Sequence, residues 1–303
     1  MNRNLKSHLA LLVVSLIFGM HYMIAKSLMP FPLQPMQLLF MRSFGGVLMF
    51  WIFQNWFIRE KVAGRDLLML ALCGLFGFAA NQALFYEGLN LTTPVDASII
   101  HVTNPIFVLI FASILIHEKV TAIKVVGIAL GAGGALILIL YGKIISMGTN
   151  SFKGNILVML NMLSYALYLV LIKPMVKKYH TMTILKWVSF FGLLFMLPFT
   201  IKGVMSIHLE VLTLRAWLGI GYIVVLNTFL AYILINFALK TVEASMVSFY
   251  TYLQPVVASV MSVSLGTEAI TVPKIIAALL IFGGVFLVNR ANKTSSLPLK
   301  ADV

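Results

Sequence analysis

The chain has 303 residues, 61% of them hydrophobic and 10% charged, with a mean hydropathy of +1.01. A water-soluble domain carries about a quarter charged residues, so this composition excludes one and points to a lipid environment. The 22 Lys and Arg against nine Asp and Glu give a formal charge of +13. They are spread along short connections with no stripe or basic tail, so the expectation is anchoring against lipid headgroups and no nucleic-acid partner.

Arg3 and Lys6 precede an apolar run that starts like a signal peptide. The run reaches about 20 residues and ends in Met20-His21-Tyr22 with no small-x-small cleavage pattern, so it reads as a retained first membrane helix. Further runs of membrane-spanning length follow, and the predicted spans lie at 8–28, 35–56, 67–89, 94–116, 121–140, 153–173, 181–201, 214–237, 244–265 and 272–289. They are read as helices, because a β-barrel would show alternating segments of about ten residues. Cys73 is the single cysteine and lies inside an apolar run, so no disulfide framework is expected.

The chain repeats itself. Between Ser98 and Leu138, nine of 41 positions recur at an offset of 150. Ser98, Pro105, Leu115, Glu118, Thr121, Lys124, Leu130, Gly133 and Gly134 return as Ser248, Pro255, Leu265, Glu268, Thr271, Lys274, Leu280, Gly283 and Gly284. Composition alone would give about three matches, so this is an internal repeat. Weaker matches extend it to every span, such as Lys26 with Lys173 and Ser43 with Ser189. The fold class expected is an all-α membrane protein of ten transmembrane helices, with repeats over 1–145 and 146–303. An odd number of spans per repeat forces the second copy to enter from the opposite side, so the two five-helix repeats are inverted. With the N-terminus in the cytoplasm, 14 Lys and Arg fall on inside segments and six outside, which favours both termini inside.

The residues Ala97-Ser98, Pro105-Ile106-Phe107, His117-Glu118-Lys119-Val120-Thr121 and Gly127 through Gly134, with their second copy around Ser248, Pro255, Gly266-Thr267-Glu268 and Gly283-Gly284, resemble those of EamA-type exporters of the drug/metabolite transporter superfamily. Arg42 stands in span 2 where such proteins often carry an arginine. His117 departs from the glycine often found before the glutamate, and Val188 stands where a repeated arginine would fall. The resemblance implies a ten-helix carrier in a bacterial inner membrane that exports amino acids or other small metabolites.

Polar residues gather at similar depth in several spans. They are His21 and Tyr22, Arg42, Asn81 with Gln82 and Tyr86, His101 with Asn104, Asn161 with Tyr165 and Tyr168, and Asn227 with Tyr232 and Asn236. Ser248, Tyr252, Pro255, Ser259 and Ser262 share one face of span 9, with Tyr250 and Gln254 on an adjacent stripe. Such residues either glue helices together or line a cavity. As a set they predict a central polar cavity whose substrate contacts are His21, Tyr22, Arg42, Asn81, Tyr86, His101, Tyr165, Tyr168, Tyr232, Ser248 and Tyr252. Arg42 could hold a carboxylate as a bidentate fork. Lys186 is expected to snorkel to the surface. Glu118 and Glu268 are expected to cap or pair at helix junctions. Pro105 and Pro255 fall near the middle of their spans and are expected to act as hinges.

Gly127, Gly131, Gly133 and Gly134 are expected to let helices approach closely, within the chain or in a homodimer. His117-Glu118 opens like a zinc-protease motif but Thr121 stands where the second histidine belongs, and no metal site, cofactor site or nucleophile motif is found. The reading is a secondary carrier for a small molecule, working by alternating access in a lipid bilayer, with no cofactor. Its rivals are a lipid-linked or nucleotide-sugar carrier, an intramembrane enzyme and a non-transporting scaffold.

Overall fold

The computed structural model describes residues 3–58, 60–92, 97, 100–140, 149–207, 209–254, 256–257 and 272–295. Among these there is no strand. In chain order the helices are α1 (Arg3–Leu28), α2 (Pro35–Phe57), α3 (Gly64–Leu91), α4 (Asn104–Ile116) and α5 (Ala122–Leu140). Then come α6 (Thr149–Lys178), α7 (Thr181–Val204), α8 (Leu214–Leu239), α9 (Ala244–Phe249) and α10 (Val272–Ser295). Among the described residues, α1, α2, α3, α6, α7 and α8 are long and apolar enough to cross a membrane, and α4 and parts of α5 and α10 are shorter apolar helices. Leu16, Phe53, Phe199, Leu279 and Phe286 are exposed on the outside. An exterior of this kind is matched to hydrocarbon and not to water. The protein is a multi-pass helical membrane protein.

Local chemistry sets the helix ends. The Gln37 side chain accepts the Gln34 N–H (2.8 Å) at the start of α2, behind Pro35 in the first turn. Thr121 accepts the Lys124 N–H (3.3 Å) at the start of α5, and Thr213 does the same for Ala216 (3.3 Å) at the start of α8. His117 ends α4 in the left-handed region, with φ 52 and ψ 37. Glycine occupies such a position without cost, and histidine is among the residues that tolerate it.

The repeat returns as paired irregularities. A π-turn at Leu75–Ala79 interrupts α3, and a longer one at Tyr222–Leu230 interrupts α8. Shifted by 150, the first falls inside the second. Side-chain hydroxyls donate to carbonyls of these turns: Tyr232 to Gly77 O (2.9 Å), Ser164 to Phe76 O (2.7 Å) and Thr228 to Ile223 O (2.8 Å).

Pro105 corrects an expectation. It does not kink a continuous span but stands in the first turn of α4, after a break at Val102 and Thr103. A first-turn residue has no helical acceptor for its N–H, so proline fits there. Near the corresponding place in the second copy, α9 passes into a 3-10 turn at Tyr250–Tyr252. Pro255, Ser98, Ser259, Ser262, Glu268 and Thr271 lie outside the described residues.

The glycines pack helices within the chain. A Cβ on Gly134 would lie 2.7 Å from Ala277 O and one on Gly127 would lie 3.1 Å from Gly284 O, so α5 and α10 touch backbone to backbone. Gly133 and Gly283 have nothing within 4 Å of the position a Cβ would take. The two neighbours should therefore respond oppositely. Gly133→Ala should be neutral or stabilise by up to about 1 kcal/mol through helix propensity, whereas Gly134→Ala should destabilise. Thermal unfolding in detergent measures both.

Candidate functional site

The mid-helix breaks surround a cavity of about 70 Å³. Side chains from α1, α2, α3, α4, α6 and α8 line it, joined by Thr251 and Gln254 just beyond α9. Of the residues expected from sequence, His21, Tyr22, Arg42, Asn81, His101, Tyr165 and Tyr232 come together on its wall. Gln82, Asn104, Asn161, Asn227, Thr251, Gln254, Phe18, Phe85 and Met162 complete the lining.

Arg42 is only 2% exposed. Its Nε–H donates to Thr228 Oγ1 (2.7 Å), the hydroxyl that the π-turn of α8 directs at Ile223 O. A terminal nitrogen of Arg42 donates to Gln82 Oε1, and Gln82 Nε2–H in turn donates to Asn81 Oδ1. Asn81 and Asn161 then exchange side-chain amide donors for backbone carbonyls across α3 and α6 (3.1 and 2.7 Å). The guanidinium carbon also lies 6.0 Å from the centroid of the Tyr232 ring. This chain holds Arg42 in one orientation, and each amide in it is fixed by its neighbour.

Among the described residues no carboxylate lines the cavity, and Arg42 is in none of the ion pairs. An isolated buried cation is costly. The start of α4 opens on the cavity at Asn104, so the positive end of that helix adds to the same potential.

The other wall is aromatic. His21 stacks on Phe85 (centroids 5.4 Å apart), and Tyr22 meets His101 edge-on (5.2 Å). Tyr22 OH donates to Gln254 Oε1 (3.1 Å), and Asn104 Nδ2–H donates to Thr251 Oγ1 (3.4 Å). Both ring nitrogens of His21, together with Asn104 Oδ1, Asn161 Oδ1 and Asn227 Nδ2, are buried with no hydrogen-bond partner in the protein. Buried polar atoms normally find one, so these five are positions where a bound solute can supply it.

Four expected contacts are placed elsewhere. Tyr168 is fully buried under Gly77, where a Cβ would lie 2.2 Å from its ring, and its hydroxyl accepts from Asn236 Nδ2 (3.3 Å). Tyr252 packs its ring on Gly131 and edge-on to Phe249 (4.8 Å). Ser248 spends its hydroxyl on Ser245 O (2.9 Å), and Tyr86 stands edge-on behind His21 (5.9 Å). A polar stripe facing inward need not reach the cavity, because one helical face runs its full length past other helices. Lys186 donates to Gln54 and Asn55 (2.8 Å each) and lies over the Trp51 ring (4.2 Å), away from the cavity.

Helix breaks that match between the repeats, a buried arginine held in place and a cavity of about 70 Å³ thus lie together in one region of a multi-pass membrane protein. The chain belongs to the EamA-like transporter family, whose model matches residues 5–140 and 152–290. It is 29% identical to the uncharacterized transporter YyaM of Bacillus subtilis over 72% of this chain and 70% of that one. It is 26% identical to an uncharacterized transporter of Archaeoglobus fulgidus over 83% and 86%. It is 24% identical to a protein of Streptantibioticus cattleyicolor named "Probable terminal-alkyne amino-acid exporter", over 76% of each chain. A crystal structure 15% identical in sequence superposes with a TM-score of 0.75 over 97% of this chain and 99% of that one, which shows the fold alone.

Thr228 should prove essential to the site's architecture. Thr228→Val keeps the shape but removes the acceptor of the Arg42 Nε–H. An unpaired buried group costs about 1–3 kcal/mol, so the variant should melt at lower temperature in detergent, whereas Val225→Thr on the exposed face of the same helix should not.

Proposed function

We propose that the protein is a secondary carrier that moves small carboxylate-bearing metabolites, amino acids among them, out of the cell across a bacterial inner membrane. The carrying observation is Arg42, a buried guanidinium held in place on the cavity wall with no carboxylate beside it. A solute carboxylate completes it as a charge-assisted pair. The orphaned Asn161 and Asn104 carbonyl oxygens offer acceptors for an ammonium group, and the aromatic wall offers contact to the rest of the solute.

Size supports the same class. A water needs about 10–15 Å³ by this measure of volume, so a cavity of about 70 Å³ takes roughly five to seven water-sized bodies. That suits an amino acid better than a nucleotide sugar, which would also call for several cations where Arg42 is the single Lys or Arg among the described lining residues. The amino-acid exporter named among the relatives adds weight to the solute class and to the direction of transport.

The architecture we infer is five plus five helices, inverted, with both termini cytoplasmic. Paired π-turns at an offset of 150 support the duplication, and the 14:6 distribution of Lys and Arg supports the orientation. The two halves then rock about the cavity, and α4 and α9 are broken where that motion needs them to bend.

The test is efflux of a labelled amino-acid panel from proteoliposomes. At least one solute should move, and Arg42→Gln should weaken its apparent affinity by roughly 10- to 100-fold, the worth of one charge-assisted pair. Arg42→Lys should lose less. Flux of no solute by well-folded protein, or native transport by Arg42→Gln, would refute the proposal.

A further inference from the structure

At one end of the helices lies a second polar constellation that the cavity does not use. Lys124, at the start of α5, is fully buried. Its three ammonium donors are all spent: on Glu118 Oε1 (3.2 Å), on Glu243 Oε2 (2.5 Å) and on Lys119 O (2.9 Å). Ser245 Oγ–H donates to the same Glu118 oxygen, while Lys173 Nζ lies 3.9 Å from the other. Two acids and two bases thus form a neutral cluster.

The membership of the cluster is the informative part. Glu118 and Lys124 belong to the first sequence repeat, and Lys173, Glu243 and Ser245 to the second. Lys124–Glu243 and Lys173–Glu118 join the two repeats, while Lys124–Glu118 lies within the first and ties the two joining pairs together. The cluster sits on the C-terminal side of α4 and α6, whose residues Asn104 and Tyr165 line the cavity. Lys173 is eight residues beyond Tyr165 on α6, or about 12 Å at helical rise. Along α6, α4 and α9, Tyr168, Val108, Ala112 and Phe249 stand between the cavity-lining residues and the cluster, and all four are fully buried. The space between cavity and cluster is thus packed with rings and aliphatic side chains.

The choice of charges is telling. A buried ion cluster is no more stabilising than well-packed apolar residues of the same shape, so stability alone does not call for it. The two differ when the seam parts. An apolar seam opened to water is left exposed, whereas ions leaving one another at the end of a membrane helix gain water in exchange. A seam built of ions can be nearly as favourable open as closed. Burial, and next the Glu118 carboxylate beside it, already hold the Glu243 carboxyl above the ordinary carboxylate range, so part of its pairing energy is offset in the closed form.

We propose that Glu118, Lys124, Lys173 and Glu243 form a reversible latch between the two halves, which closes one face of the carrier and parts in every cycle. The latch rests on the alternating-access reading of the protein. By the distribution of Lys and Arg, the face it closes is the cytoplasmic one.

The experiment follows access to the closed route, not solute movement. Cys73 is the single cysteine, so Cys73→Ala gives a silent background. Ser248→Cys then places a near-isosteric thiol between Ser245 of the latch and Thr251 of the cavity, at a site that is 1% exposed. Full-length protein is labelled with a membrane-impermeant maleimide, applied to each face in turn in right-side-out and inverted vesicles. Glu118→Gln together with Glu243→Gln should speed labelling from the latch face at least tenfold and leave the other face unchanged. Glu118→Asp, which keeps the charge, should stay near the starting rate. Lys26→Met removes a cation that caps Leu89 O, Asn90 O and Thr92 O elsewhere in the fold and should not open the latch face. Unchanged labelling in the double variant, or equal acceleration from both faces or by Lys26→Met, would show a merely structural cluster and overturn the latch. One-sided acceleration in a protein that moves no amino acid would leave the latch standing and defeat the solute assignment instead.

Discussion

A single fixed charge organises the centre of this molecule. Arg42 is buried on the cavity wall with no carboxylate among the described lining residues, and burial of an unpaired cation is among the most expensive things a fold can do. Much of the surrounding structure is explained by the need to hold that charge. The π-turn in α8 aims Thr228 at Nε, and the side-chain amides of Gln82, Asn81 and Asn161 form a chain leading away from the guanidinium. The start of α4 contributes its positive end to the same space. Each element that is irregular as a helix is regular as a support for this site.

The irregular helices also reconcile two demands. A helix crossing hydrocarbon must satisfy every backbone group internally, yet a binding site needs polar atoms that face inward. At the π-turns Ser164, Tyr232 and Thr228 donate to the carbonyls of Phe76, Gly77 and Ile223. No hydrocarbon is asked to solvate them. Close packing at Gly127 and Gly134 then binds α5 to α10 without any polar group at all.

The apolar membrane helices and the two family repeats were legible in the sequence because both depend on periodicity and punctuation, which local chemistry writes directly. Much of the cavity was legible too: His21, Arg42, Asn81, His101 and Tyr232 are polar residues at matched depth, and polarity at that depth is conspicuous. The π-turns were not, since nothing in Leu75–Ala79 or Tyr222–Leu230 distinguishes them from ordinary apolar helix. Phe18, Phe85 and Met162 were hidden for a related reason: an apolar side chain facing a cavity reads like one facing lipid. Tyr168 and Tyr252 misled in the opposite direction. Their hydroxyls suggested solute, but Gly77 and Gly131 make room for their rings, and that room depends on residues distant in sequence. Pro105 drew attention in the sequence as a hinge within a span drawn as continuous through His101, and only the backbone reveals the break at Val102.

The central claim is that Arg42 awaits a carboxylate, and the most direct measurement is ligand-induced thermal stabilisation of the purified protein. A solute that binds the folded state alone raises the melting temperature by mass action. The probes are a panel of amino acids paired with their methyl esters, identical but for the anionic charge. At least one amino acid should raise the melting temperature, while its ester should not, and Arg42→Gln should abolish the difference. Equal stabilisation by acid and ester in the native protein would contradict the account.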